Sequence, residues 1–239
     1  MRSTRAAVIV LMVAAGAAVM LGLSGLGYQQ ELWTLRTAFA MVKWSAYVGI
    51  VTGLIALAGL IVARRQRTVM LSYVAALLLC SVTAALPWSW QRKARSVPAI
   101  HDITTDTQEP PAFVAVLPLR ATAKNPAEYG GDSVAALQRA AYPDVIPVSL
   151  AVTPEVAFAK VRAAATAMQW ELVAADSAAG RLEATATTRW FGFRDDVVIR
   201  VRAEGTGSRV DVRSLSRVGG SDVGTNAERI RAFVALLTP

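Results

Sequence analysis

A chain of 239 residues that is 54% hydrophobic and only 18% charged is too apolar for one soluble domain of its size, so a membrane portion is expected. The formal charge of +8 is unevenly divided: residues 1–95 carry ten Lys/Arg against Glu31 alone, and residues 96–239 carry fifteen against sixteen acids. The basicity therefore belongs to membrane flanks and gives no argument for nucleic acid binding. One cysteine, Cys80, and one histidine, His101, exclude an intrachain disulfide, a cysteine-based metal site and a multi-histidine site.

Three uncharged runs come first, at about residues 6–25, 44–63 and 69–87. Each is long enough to cross a hydrocarbon core of about 30 Å as a helix. The first is read as a retained anchor rather than a cleaved signal peptide, because its apolar run is long and no small-x-small site precedes a polar start. The short link Arg64-Arg65-Gln66-Arg67 predicts that the second and third helices form an antiparallel hairpin. Gly49 and Gly53, four apart, favour close packing within the chain, with dimerisation as the sharper alternative. No ionisable side chain other than cysteine and tyrosine lies in these runs, so the bundle reads as an anchor rather than a transporter.

Orientation rests on a tie. Arg2, Arg5, Arg64, Arg65 and Arg67 stand on one side; Arg36, Lys43, Arg92, Lys93 and Arg95 stand on the other. The basic N-terminal flank and the compressed Arg64–Arg67 cluster place the N-terminus in the cytoplasm, which makes the C-terminal domain extracytoplasmic. Tyr28, Trp33, Trp44, Trp88 and Trp90 then form an aromatic belt near the outer face. Of the 25 basic residues 21 are arginine, which with abundant alanine suggests a bacterial chain from a GC-rich genome and hence an inner-membrane location.

Residues 96–239 read as one α+β domain. Residues 96–126, with Pro98, Pro110, Pro111 and Pro118, read as an irregular surface wrap. Residues 132–141 suggest a short helix, with Val134, Leu137 and Gln138 on one side. A strand is expected at 148–152, and Thr153-Pro154-Glu155 is a helix start: hydroxyl cap, proline at the first helical position, acid in the first turn. Phe158, Val161, Ala165 and Met168 share its buried face. Strands are expected at 170–175, 181–187, 197–203 and 210–212, with Asp195-Asp196 and Gly205-Thr206-Gly207 as turns. A last helix begins near Asn226 and buries Ile230, Phe233, Val234 and Leu237. Leu182, Ala184 and Ala186 alternate with polar neighbours. The expected fold is an antiparallel sheet with one face solvated and two helices on the other. Trp190-Phe191-Gly192-Phe193 reads as a core or edge contact, the alternatives being a membrane-dipping tip or a partner site.

HDITTDTQEPPAF (101–113), AYPDVIP (141–147) and RSLSRVGGSDVGTNAERIR (213–231) resemble the uncharacterised bacterial family catalogued as domain of unknown function 1499, over residues 97–238. Membrane helices ahead of such a domain fit members of that family. The resemblance implies no reaction and carries no catalytic residue across.

The candidate site is DVRSLSRVGGSDVGTN (211–226), with Arg213, Ser214, Ser216, Arg217, Ser221, Asp222 and Asn226, together with His101 and Asp102. Three chemistries are open to it. Glycines, a capping Asp222 and Asn226, and arginines paired to Asp222 or to His101-Asp102 make a tied turn that pins the N-terminal wrap to the sheet. Arg213 and Arg217 beside a helix N-terminus make a receptor for an anionic envelope ligand or a partner carboxylate. His101, Asp102 and one of Ser214, Ser216 or Ser221 make a hydrolase-like triad, although GGSDVG is not G-x-S-x-G. The tied turn is favoured. No metal loop, phosphate loop or dinucleotide fingerprint is present, so no cofactor and no metal are assigned. The expected protein is a membrane-anchored binding or structural module of the cell envelope, with an envelope enzyme as the alternative and the oligomeric state left open.

Overall fold

The computed structural model describes residues 2–63 and 65–238. Arg64 and the side chain of Arg2, both used in the orientation argument, lie outside the described residues, as does Pro239. The chain forms two compact units: Met1–Arg92 with Arg189–Gly192, and Lys93–Thr188 with Phe193–Pro239.

In the first unit, α1 (Arg2–Gln29), α2 (Leu35–Val62) and α3 (Arg67–Ser96) are each long and apolar enough to cross a membrane. They outrun the apolar runs of the sequence. α2 starts nine residues before the second run and is capped by Thr34, its hydroxyl accepting from Thr37 N–H at 3.3 Å. α3 continues through Pro87 to Ser96, where the apolar run ends at the proline. Hydropathy marks the stretch suited to lipid, not the helix that carries it.

Buried positions on α3 are Val69, Tyr73, Ala76, Cys80 and Thr83, and on α2 Ala38, Ser45, Gly49, Thr52 and Ala56. Steps of three, four and seven are the seam of a left-handed coil. The glycines of α2 set its approach to α3. A Cβ on Gly49 would meet Thr83 Oγ1, one on Gly53 would meet Cys80, and one on Gly59 would meet the Tyr73 ring. As numbers rise on α2 they fall on α3, the antiparallel hairpin expected from the four-residue link.

The segment Arg189–Gly192 belongs to this unit. Trp190 donates its indole N–H to the Gly22 carbonyl at 3.0 Å, and its ring lies 4.9 Å from that of Trp90. Phe191 is buried against Tyr28, Phe39 and Trp90. A Cβ on Gly25 would strike Trp190 at 2.4 Å, so a bare α1 backbone is what admits the indole.

The second unit is a six-stranded antiparallel sheet. β1 (Asp102–Thr104), β2 (Val148–Leu150), β3 (Glu171–Asp176), β4 (Arg181–Thr187), β5 (Arg194–Glu204) and β6 (Gly207–Ser216) run in the order β1-β6-β5-β4-β3. β1 and β2 share one edge of β6, pairing respectively with residues 213–215 and 208–210. Between them Thr105 exchanges two bonds of 2.8 Å with the Val212 backbone, so that edge is continuous. α4 (Gly131–Ala141), α5 (Pro154–Ala167) and α6 (Thr225–Leu237) complete the unit.

α5 and α6 cover one face. Phe158, Val161, Ala165, Ile230, Phe233 and Leu237 meet Leu182, Ala184, Val197, Ile199, Val210 and Val212, with Trp170 stacked on Phe233. The other face is not solvated, contrary to the reading of the alternation. The wrap closes over it with Phe113 and Val116 on Val198 and Leu215, and Glu183, Thr185, Asp196, Asp211 and Arg213 are all buried there. Alternation reports the polarity of a face, not its exposure.

Two further expectations fail for the same reason. Asp195-Asp196 is not a turn; both lie within β5 and are buried, because arginines distant in sequence neutralise them. In α4, Leu137 faces outward and Gln138 inward, because the Gln138 amide has a backbone partner in β1.

Candidate functional site

The 211–226 stretch is divided by strand geometry. Residues 213, 214 and 216 lie in β6, so the glycine loop begins later than the motif suggests, and alternate side chains go to opposite faces of the sheet.

Arg213 faces the wrap. It grips Asp102 with two bonds, Nε to Oδ1 at 2.9 Å and Nη2 to Oδ2 at 2.8 Å, and donates to the carbonyls of Pro111 and Ala127. Its guanidinium lies over the rings of Phe113 and Tyr129, and 3% of the side chain is exposed, which leaves no room for a second anion. Burial, reinforced by the Asp102 charge, pushes the Tyr129 hydroxyl up to about 12. Arg217 forks onto Asp196 at 2.9 and 2.7 Å and donates to the Leu119 carbonyl. Arg120, from a 3-10 turn at Leu117–Arg120, binds the same carboxylate at 2.5 Å, and Thr185 donates to it at 2.7 Å.

Ser214 and Ser216 face α6. The Ser214 hydroxyl donates to Asn226 Oδ1 at 2.7 Å, and Asn226 Nδ2 donates to the His101 carbonyl and to Ser216 Oγ, both at 3.0 Å. Arg229 donates to Ser214, to Asn226 and, at 2.6 Å, to Asp195. Asn226 is a fully buried connector rather than a cap. The capping is done by Asp222, whose carboxylate accepts the N–H groups of Gly224 and Asn226 at 2.8 Å. Burial raises the Asp222 carboxyl above its ordinary range, the two N–H groups opposing it.

His101 and Asp102 are adjacent and part ways. The Asp102 carboxylate is held by Arg213, while the His101 ring points elsewhere, its Nδ1 3.5 Å from the Gly220 carbonyl. Among the described residues no hydrogen bond joins the imidazole to Asp102 or to Ser214, Ser216 or Ser221, so the triad is not assembled.

The same pattern holds for charged groups that the motif did not include. The backbone N–H groups of Val114, Ala115 and Val116 converge on the Glu183 carboxylate at 2.9–3.1 Å, which Arg181 also approaches. Consecutive N–H groups of this kind form a nest for an anion, and here the anion is the chain's own. Asp211 is held by Arg200, Arg202 and Arg209, all three of which also reach Asp106. Glu183, Asp195, Asp196, Asp211, Arg120 and Arg229 escaped sequence reasoning because each pairs across a large sequence separation or reads locally as strand polarity. The one available signal was the surplus of arginines alternating with acids in residues 194–217.

Two grooves on this unit lie elsewhere, one along α5 and Ala175, the other between α6 and residues 144–149; neither is lined by His101 or by residues 211–226.

No curated protein matches the chain. A family model described as a protein of unknown function, DUF1499, matches residues 102–237, from the first residue of β1 to the last of α6 and more than half of the chain. The chain belongs to the DUF1499 family.

Proposed function

We propose that the protein is a membrane-anchored module of the bacterial cell envelope, with its α+β domain on the extracytoplasmic side of the inner membrane and a structural or partner-binding role rather than a catalytic one. The observation that supports this most is the internal neutralisation of the strong anion receptors in and around the family motif. Asp102 fills the Arg213 fork, Asp196 fills Arg217 and Arg120, Asp195 fills Arg229, Asp222 fills the first turn of α6, and Glu183 fills the 114–116 nest. An external anion at Arg213 or Arg217 would have to displace a buried carboxylate, which would then be left unpaired at a cost of several kcal/mol. In this reading Arg213, Ser214, Ser216, Arg217, Asp222, Asn226 and Asp102 shape the domain, and a partner meets its outer surface.

The test of the envelope assignment is topology. A reporter that is active on one side of the membrane only, fused after residue 239 of the full chain, is expected to signal from outside the cytoplasm. A cytoplasmic signal would overturn the assignment and make soluble metabolites and cytoplasmic proteins the candidate partners.

A further inference from the structure

The aromatic segment between β4 and β5 packs with the helices, and its neighbours say what surrounds it. At about 1.5 Å per residue, the 28 residues of α2 extend about 42 Å, beyond a hydrocarbon core of about 30 Å and into the headgroup layer at each end. Tyr28 is next to the last residue of α1, Phe39 lies in the second turn of α2, and Trp90 lies in the last two turns of α3. These three ends coincide, because α1 leads into α2 through a short link and α3 runs back along α2. Trp190 and Phe191 join the rings there, so the five aromatics stand at one end of the helices, the level that indole and phenol side chains favour at a bilayer surface. Trp88, also near that end of α3, is 65% exposed.

The same end carries a surplus of positive charge, Glu31 of the α1–α2 link being the acid beside it. Arg36, Arg92 and Arg189 are exposed, and none forms an ion pair among the described residues. Free arginines beside a ring of aromatics suit a surface that is apolar below and anionic above, as a phospholipid headgroup layer is.

We infer that Arg189–Gly192 is a fourth membrane-contacting element, held at headgroup depth by the packing of Trp190 and Phe191 on the helix ends, with Arg36, Arg92 and Arg189 facing anionic phospholipid headgroups. This rests on the anchoring role of the three helices. It extends that role to a segment contributed by the β4–β5 connection, far from the helices in sequence. The occupant is the bilayer rather than a protein partner, because the segment is continuous with helices suited to lipid and its free charges match headgroups.

The experiment uses the full chain with Cys80→Ala, reconstituted in bilayers of phosphatidylcholine and phosphatidylglycerol. A nitroxide is attached in turn at Arg189→Cys, Leu54→Cys and Thr206→Cys. Leu54 is an exposed residue in the middle of α2, and Thr206 is an exposed residue in the β5–β6 turn. Collision rates with oxygen and with a water-soluble nickel chelate give the depth of each label. The expected result is Leu54 in hydrocarbon, Thr206 in water and residue 189 at headgroup depth, with residue 189 moving outward when phosphatidylglycerol is replaced by phosphatidylcholine. A label at 189 as water-accessible as that at 206, with Leu54 in lipid, overturns the inference and leaves the anchor standing. A water-accessible label at Leu54 overturns the anchor itself. A depth at 189 that ignores the lipid exchange overturns the assignment to anionic headgroups.

Discussion

Gln138 completes the edge of β1 as a strand would. Its amide oxygen accepts the Thr104 N–H at 2.9 Å, and its amide nitrogen donates to the Thr104 carbonyl at 2.6 Å. One helical side chain thus satisfies both backbone groups of a buried edge residue. Each such group left unmade costs about 1–3 kcal/mol. Gln138→Leu, similar in size, should lower the stability of the domain by about 2–4 kcal/mol, the sum of two such groups less the gain from a larger apolar side chain. Amide exchange of residues 102–105 in the full chain should accelerate accordingly. Unchanged protection in that segment would show that the amide pairing is dispensable.

The Arg213–Asp102 pair should behave as a buried ion pair, not as a ligand site. Asp102→Ala leaves a buried guanidinium without its carboxylate and should cost about 3–5 kcal/mol. The double variant Asp102→Leu with Arg213→Met should recover a substantial part of that loss, because the uncompensated charge goes with the arginine. Denaturant unfolding of the full chain in mild detergent measures both. A stable, well-folded Asp102→Ala variant would argue that Arg213 is free for something else.

Two carboxyls make opposite contributions to the pH profile. Burial pushes Asp106 up, but the N–H groups of Glu109 and Gln108 and the Arg209 and Arg200 charges outweigh it and hold the group below 3.8. Its contribution is present above that value and is lost as pH falls through the lower folded-state value. Asp222 is raised above 3.8 by burial, so its contribution is present at acid pH and is lost as pH rises through the folded-state value. Asp106→Asn should therefore flatten the acid limb of the stability curve, and Asp222→Asn should remove a decline just above it. Stability measured from pH 2.5 to 7 on both variants checks the two signs separately.

Gly53 offers a direct test of how α2 and α3 pack. A Cβ built there lies 3.3 Å from the Cys80 Cβ, a few tenths of an ångström inside the usual disulfide spacing of about 3.5–4.5 Å. Gly53→Cys should form a bond with Cys80 within one chain under mild oxidant, seen as a faster-migrating monomer and loss of both thiols. Crosslinked dimers in place of that monomer would mean that the glycine face of α2 meets a second chain.

Much of this architecture is written locally and some of it is not. Thr153-Pro154-Glu155 starts α5 through backbone chemistry confined to three residues, and Leu182, Ala184 and Ala186 report their shared face by period alone. β1 is three residues long and has no period to read. Asp195-Asp196 resembles a turn because nothing nearby reveals that Arg229, Arg217 and Arg120 will arrive from 34, 21 and 76 residues away. In the motif, the glycines and Asp222 were legible as a turn and cap. The inward aim of Asn226 was not, since it depends on Ser214 and on the His101 carbonyl being brought together by the sheet.

The placement of Trp190 and Phe191 also decides how the protein can be taken apart. A fragment beginning at residue 96 keeps both aromatics and discards Tyr28, Phe39 and Trp90, the rings that surround them. No single cut yields a clean soluble product, since the helical unit owns four residues from the middle of the other unit's sequence. Such a fragment should clump during purification, whereas the same fragment with Trp190→Ser and Phe191→Ser should stay dispersed. Anyone wanting the domain in isolation must edit it as well as trim it.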